Sequence, residues 1–209
     1  MFNRTHLLLA AALSCAVAVP VIAAETKKLS GEPKPAVALL HAKGDTKLTV
    51  TSPSFESGAT LADTFSQKGQ NKSPALSWTS GPAGTHSYVV LAEDTGVKRA
   101  EPISHWVIYD IPASATMLPE GLGREAKIVS PMGAVQGKNS ANTVGYTGPN
   151  PPSGETHPYH FEVFALDTKL DLDAAKADRK AVLDAMKDHV LAQGEVVVKY
   201  TGKKNTVNS

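Results

Sequence analysis

The amino-acid sequence predicts a mainly β domain, and three features carry that prediction. The apolar runs after Leu48 are short and rich in β-branched and aromatic residues, which fit a pleated, half-buried surface. Clusters of Gly, Pro, Asn and Ser bound most of these runs, as turns between antiparallel strands require. Helical spacing is confined to one window, 173–193, which contains neither Gly nor Pro.

Taken in order, the chain opens with Arg4 and no acid, then runs without charge over 7–24. A basic start, an apolar run and small residues at its exit (Ala23, Ala24) describe a secretory signal peptide over 1–24. The expected location is periplasmic or secreted, with no integral membrane span after cleavage. Two alternatives stay open. One is an uncleaved anchor, which needs about 20 apolar residues. The other is a lipoprotein, since Ala12-Leu13-Ser14-Cys15 loosely resembles a lipidation box. Residues 25–47, with Gly31, Pro33 and Pro35, read as a mobile leader that lays one short strand on the domain.

The domain is expected over 48–201, because no linker-like break interrupts it. Strands are read at 47–51, 87–91, 105–111, 160–166 and 195–200. In the fourth of these, Phe161, Val163 and Ala165 share one face and His160, Glu162 and Phe164 the other. The helix is expected over 173–193, with Val182, Leu183, Met186 and Val190 as its stripe, Asp173 as cap and Gly194 as stop. The polar tail, 202–209, is expected to fray.

Charge narrows the function. Lys+Arg number 21 against 20 Asp+Glu, a formal charge of +1, too balanced for a surface that grips nucleic acid broadly. The single cysteine excludes an internal disulfide and any Cys-rich zinc site, and neither metal nor cofactor is expected. Cleavage after Ala24 removes Arg4 and Cys15 and leaves a formally neutral chain. Any anion must then be held by a local cluster.

Two stretches could supply that cluster. In 93–107, Glu93 and Asp94 end one strand and His105 begins the next, so pairing of the strands brings Asp94 and His105 to one end of the sheet. In 145–161, a loop dense in Gly and Pro delivers His157 and Tyr159, two residues apart and on one face where extended. Two imidazoles, a phenol and nearby glycine N–H groups can bind an anion, with an aspartate to orient an imidazole. Taken singly, each also fits an ordinary structural role, and spacing alone does not decide. His157 and His160 lie three apart, on opposite faces of a strand, which argues against a shared metal.

Ser73-Pro-Ala-Leu-Ser-Trp78, then Glu93-Asp94 and His105-Trp-Val-Ile-Tyr-Asp-Ile-Pro112, resemble the first signature of the phosphatidylethanolamine-binding proteins. Gly137-Lys-Asn-Ser140, Tyr146-Thr-Gly-Pro-Asn-Pro-Pro-Ser-Gly154 and His157-Pro-Tyr-His-Phe161 resemble the second, in the bacterial Raf-kinase-inhibitor-like branch. The resemblance implies a central antiparallel sheet, a smaller second sheet and a C-terminal helix. It also implies an anion pocket formed by Asp94, His105, Gly148, His157 and Tyr159. One departure stands out: the family's Asp-Pro-Asp is here Asp94-Thr95-Gly96, which loses a stiff proline and one acid.

The function expected is a non-enzymatic binding protein for phosphate or a phospholipid head group. The alternative is an inhibitor of a kinase or protease acting through a protein partner, and a homodimer stays open. A hydrolase is the least supported reading. No Gly-x-Ser-x-Gly elbow is present, and Ser104 alternates away from His105.

Overall fold

The computed structural model describes residues 31–128 and 133–204. The signal-peptide reading over 1–24 lies outside the described residues, as do 25–30 and the end of the tail. No helix among the described residues is long and apolar enough to cross a membrane.

The strands are β1 (Val50–Thr51), β2 (Leu76–Trp78), β3 (Ser87–Asp94), β4 (Ile103–Pro112), β5 (Met117–Leu118), β6 (Val135–Gln136), β7 (Thr156–Leu166) and β8 (Val190–Thr201), with helix α1 (Arg179–Met186) before β8. They form a central sheet in the order β6-β4-β3-β7-β8 and a small sheet in the order β1-β2-β5. All neighbours within both sheets run antiparallel.

The central sheet is buried on both faces, which explains why β3 is buried at every position instead of alternating with solvent. Its first face packs against the small sheet: Tyr88, Val90, Trp106, Phe161 and Val163 meet Leu76, Trp78 and Leu118. Its second face, carrying Val89, Leu91, Val107, Tyr109 and Phe164, is covered by Val182 and Met186 of α1 and by Ala36. The face assignment read from the β7 sequence holds: Phe161, Val163 and Ala165 join the first cluster and Phe164 the second.

Two expectations need correction. The helix is shorter than 173–193. Its cap is Asp178, whose side chain accepts from Ala181 N–H, and the chain leaves helical geometry at Lys187 (ψ 133°) before Asp188 at φ 62°. Val190 belongs to β8, because pairing with β7 along its whole length outweighs local helical spacing. Gly194 is no helix stop. It sits opposite Val163, where a Cβ would lie 2.0 Å from the Leu48 carbonyl oxygen.

The second correction concerns the leader, which is anchored on the domain through buried Pro33, Ala36 and Leu40. Ala36–Ala38 form a 3-10 turn, and Ala36 is fully buried. Its backbone is held by two buried acids of the sheet: Ala36 N–H donates to Glu93 (3.0 Å) and Val37 N–H to Glu162 (2.5 Å). The short strand expected there is reduced to one parallel bridge, Lys47 to Gln193.

Candidate anion-binding site

β3 delivers two adjacent acids to opposite faces. Asp94 falls on the first face and Glu93 on the second. Tyr159 is the cross-strand partner of Asp94 on β7, and His157 stands two residues before it. Both His157 and Tyr159 therefore arrive beside Asp94 by register alone.

His105 arrives by a different device. Ala92 pairs with Trp106 and Glu93 with Ser104, leaving His105 as an extra residue in β4. Strict alternation from Trp106 would send it to the second face, but a bulge re-aims the extra side chain. Its ring instead meets Tyr159 edge-on, with centroids 5.3 Å apart and planes at 73°. Ser104 stays on the other face, opposite Glu93.

The four side chains are nearly enclosed: His105, His157, Asp94 and Tyr159 are 7%, 5%, 3% and 2% exposed. His157 Nδ1 lies 3.0 and 2.9 Å from the two Asp94 oxygens, and Gly96 N–H donates to the same carboxylate at 2.8 Å. On its other nitrogen, His157 Nε2 meets Glu155 at 3.3 Å. Each ring nitrogen of His157 thus faces a carboxylate. Glu155 is half exposed and lies at the mouth of the site.

His105 is held differently. Its Nδ1–H donates to the Thr147 carbonyl at 2.5 Å, and Nε2 is buried with no partner among the described residues. Burial pushes this imidazole below its ordinary value, and the raising effects of the Thr147 carbonyl, the Asp94 charge and the Gly148 backbone only partly offset that. Nε2 thus faces inward, beside the backbone of Gly148. The Tyr159 hydroxyl is buried beside Asp94 without a full hydrogen-bond geometry, and burial, followed by the Asp94 charge and its carboxylate as acceptor, pushes the phenol far up, so it keeps its proton. The site therefore holds two buried polar atoms short of hydrogen-bond geometry, His105 Nε2 and Tyr159 Oη, beside the hydrogen-bonded Asp94–His157 pair.

Gly148 is close by, yet its amide is not free. Gly148 N–H donates to Asn71 (2.7 Å) and its carbonyl accepts from Gln67 (2.8 Å). A Cβ there would stand 2.1 Å from the Phe65 carbonyl oxygen. Gly148 thus lies beside His105 through its backbone, with its amide taken by Asn71, and it seats the loop that carries Thr147 to His105.

Sequence reasoning missed Thr147, Glu155 and Asn71. Glu155 had a usable signal, being two residues from His157 and so on the same face of the strand. The Thr147 and Asn71 contacts depend on loop folding and leave no spacing signature.

Residues 51–201 match the family model described as phosphatidylethanolamine-binding protein. The chain belongs to the phosphatidylethanolamine-binding protein family. It is 37% identical over 146 residues to a UPF0098 protein of Methanothermobacter thermautotrophicus, covering 70% of this chain and 93% of that one. Escherichia coli YbhB is 41% identical over 106 residues, covering 50% of this chain and 66% of YbhB. The crystal structure of Escherichia coli YbcL, described as a new member of the mammalian PEBP family, superimposes with a TM-score of 0.68 at 32% identity, covering 76% of this chain and all of YbcL.

Within this family frame, Thr95-Gly96 is not the loose substitute for Pro-Asp that its composition suggests. A Cβ on Gly96 would lie 2.6 Å from His157 Cγ, so the glycine lets the ring pack flush against the turn. Thr95 turns the other way, its Oγ1 3.1 Å from His160 Nε2, while His160 Nδ1 meets Glu195 at 2.7 Å. His157 and His160 thus stand in separate networks.

Proposed function

We propose that the protein is an exported, non-enzymatic binding protein whose pocket at the Asp94 end of β3 takes a phosphate group, free or on a phospholipid head group. The observation that carries this reading is the pair of buried, unpartnered polar atoms, His105 Nε2 and Tyr159 Oη, beside the Asp94–His157 pair. Buried polar groups are nearly always hydrogen-bonded, so such a pair calls for a guest. Family membership supports the choice of a phosphate-bearing guest, and the 1–24 segment supports export.

The test is calorimetry with inorganic phosphate. His105→Ala and His157→Ala are each expected to weaken binding about tenfold or more, the effect of removing a hydrogen bond to a charged group. Parent-like binding by both variants would remove the assignment. Export is checked by the N-terminus of the protein recovered from the periplasmic fraction, expected at Glu25.

One arrangement favours a second reading, a hydrolase. Thr95, His160 and Glu195 are spaced as a hydroxyl–imidazole–carboxylate relay. Against it, acyl transfer needs free amide donors near the nucleophile, and the amide next to Thr95, Gly96 N–H, is already donated to Asp94. Ester turnover abolished by Thr95→Ala would establish the hydrolase.

A further inference from the structure

Ser104 and His105 are neighbours in β4 but serve opposite faces, and the serine lines a cleft that the Asp94 site does not use. The cleft lies between the start of β4, the loop after β6 and the first turn of α1, with a volume of about 560 Å³. Pro102 and Ala175 are its only apolar liners. The Ser104 side chain stands on the face that α1 covers, is 2% exposed, and has no partner for its hydroxyl among the described residues. Its backbone is held firmly by Ser140, whose Oγ accepts from Ser104 N–H at 2.9 Å and whose N–H donates to the Ser104 carbonyl at 2.8 Å. Only the hydroxyl, then, has a bond to make, and buried polar groups are nearly always bonded.

The wall around it is rich in donors and positive charge. Asp178 caps α1 by accepting from Ala181 N–H, while the amides of Arg179 and Lys180 have no acceptor among the described residues. Four cations line the cleft, and two are already matched, Arg179 by Glu93 and Lys180 by Asp184. Lys138 and Lys176 form no ion pair among the described residues. Lys138 N–H donates to the Ala177 carbonyl at 2.7 Å, which sets the two lysines on adjoining stretches of backbone. Of the two acids present, Asp178 is offset by the helix start it caps, and Glu101 acts on Lys180. The charge left over is that of Lys138 and Lys176.

We propose that this cleft is a second ligand site, for a small hydrophilic dianion such as a dicarboxylate or a sugar phosphate. One anionic end accepts from the Ser104 hydroxyl and the α1 amides, where the helix dipole favours negative charge, and the two lysines match the total charge. A lining almost without apolar residues gives an acyl chain nothing to pack on. The site stands apart from the Asp94 pocket, on the other side of β4, and does not depend on how that pocket is read.

The experiment follows backbone amides of the isotope-labelled protein by NMR during titration with succinate. Saturable shifts are expected at Ser104, Arg179 and Lys180, with Gly96, beside His157, unmoved. Succinamate, the same skeleton with one carboxylate replaced by an amide, is expected to bind about fivefold more weakly, the scale of an exposed ion pair. Glycerol phosphate, read at the same amides, separates the sources: tighter binding than succinate makes the guest a phosphomonoester, weaker binding a dicarboxylate. Ser104→Ala removes a hydroxyl that holds nothing in the unliganded fold. Its melting temperature should therefore match or exceed the parent's, while succinate binding weakens about tenfold. Lys138→Gln combined with Lys176→Gln is expected to erase the preference for succinate over succinamate.

The absence of saturable shifts at α1 with all of these probes overturns the site, as does parent-like binding by both Ser104→Ala and the double lysine variant. Equal binding of succinate and succinamate overturns the dianion. The Asp94 pocket is judged separately, by phosphate-induced shifts at Gly96 and Thr147, so either site can fail without the other.

Discussion

Glu93 and Asp94 are consecutive, both buried and both acidic, yet the two faces of the sheet treat them in opposite ways. Glu93 is closed off by protein. Arg179 Nε donates to it at 2.5 Å, and Ala36 N–H at 3.0 Å, so the acid pins α1 and the N-terminal segment to the sheet. Beside it, Glu162 carries an unpartnered oxygen, but burial and the neighbouring Glu93 push its carboxyl well above the usual range and it keeps its proton. Asp94 holds a histidine whose neighbours are left with bonds to make. A buried acid matched by a cation and backbone amides is a clamp. One set among buried polar atoms that lack full hydrogen-bond geometry forms part of a binding site.

The contrast breaks most severely on the clamp side. Arg179→Ala leaves Glu93 buried without its cation and is expected to cost about 3–5 kcal/mol in urea unfolding. Phosphate affinity of the folded fraction should stay at the parent value, because Arg179 lies on the far face. Loss of binding in folded protein would mean that the two faces are coupled.

On the site side, Gly96→Ala forces the His157 ring away from the turn. The expected stability loss is about 1–3 kcal/mol, typical of overpacking. Here phosphate binding should fall as well, the opposite of the Arg179 pattern.

A smaller effect follows from Glu162. Its folded pKa is raised, so the folded state holds a proton that the unfolded state releases above about pH 4.5, the ordinary glutamate value. Stability therefore declines as pH rises through the window between that value and the raised one. Glu162→Gln removes this linkage, and its stability at neutral pH is expected to exceed the parent's by about 1–2 kcal/mol, with little difference at acid pH. Denaturant melts across pH check both the sign and the window.

The smallest change is at the mouth. Glu155→Gln removes a half-exposed carboxylate from His157 Nε2, the position an incoming anion would take. Phosphate affinity is expected to rise by up to about fivefold, the scale of an exposed ion pair, and stability to change little. A fall in affinity would show that Glu155 helps to hold the site.

The strands and their faces were legible in the chain because they rest on local chemistry. Period-2 burial along 156–161 and the β-branched runs are set by which side chains can leave water. The motifs around Asp94, His105, His157 and Tyr159 were legible as well, and the register of β3 with β7 explains why Asp94 and Tyr159 meet. Local reading fell short wherever a distant backbone decides the outcome. Val190 follows β7 instead of its helical neighbours, and Ala36 is ordered by two acids of the sheet.

By itself, then, the sequence determined a balanced, mainly β chain and the residue types from which an anion site could be built. Only the tertiary structure decided that His105 reaches the site through a bulge, that Gly148 gives its amide to Asn71, and that His105 Nε2 and Tyr159 Oη stay buried short of hydrogen-bond geometry. The physical reason is that hydrogen-bond satisfaction is a property of the assembled surroundings. The same histidine is a structural residue or a ligand's partner according to which of its nitrogens the fold leaves free.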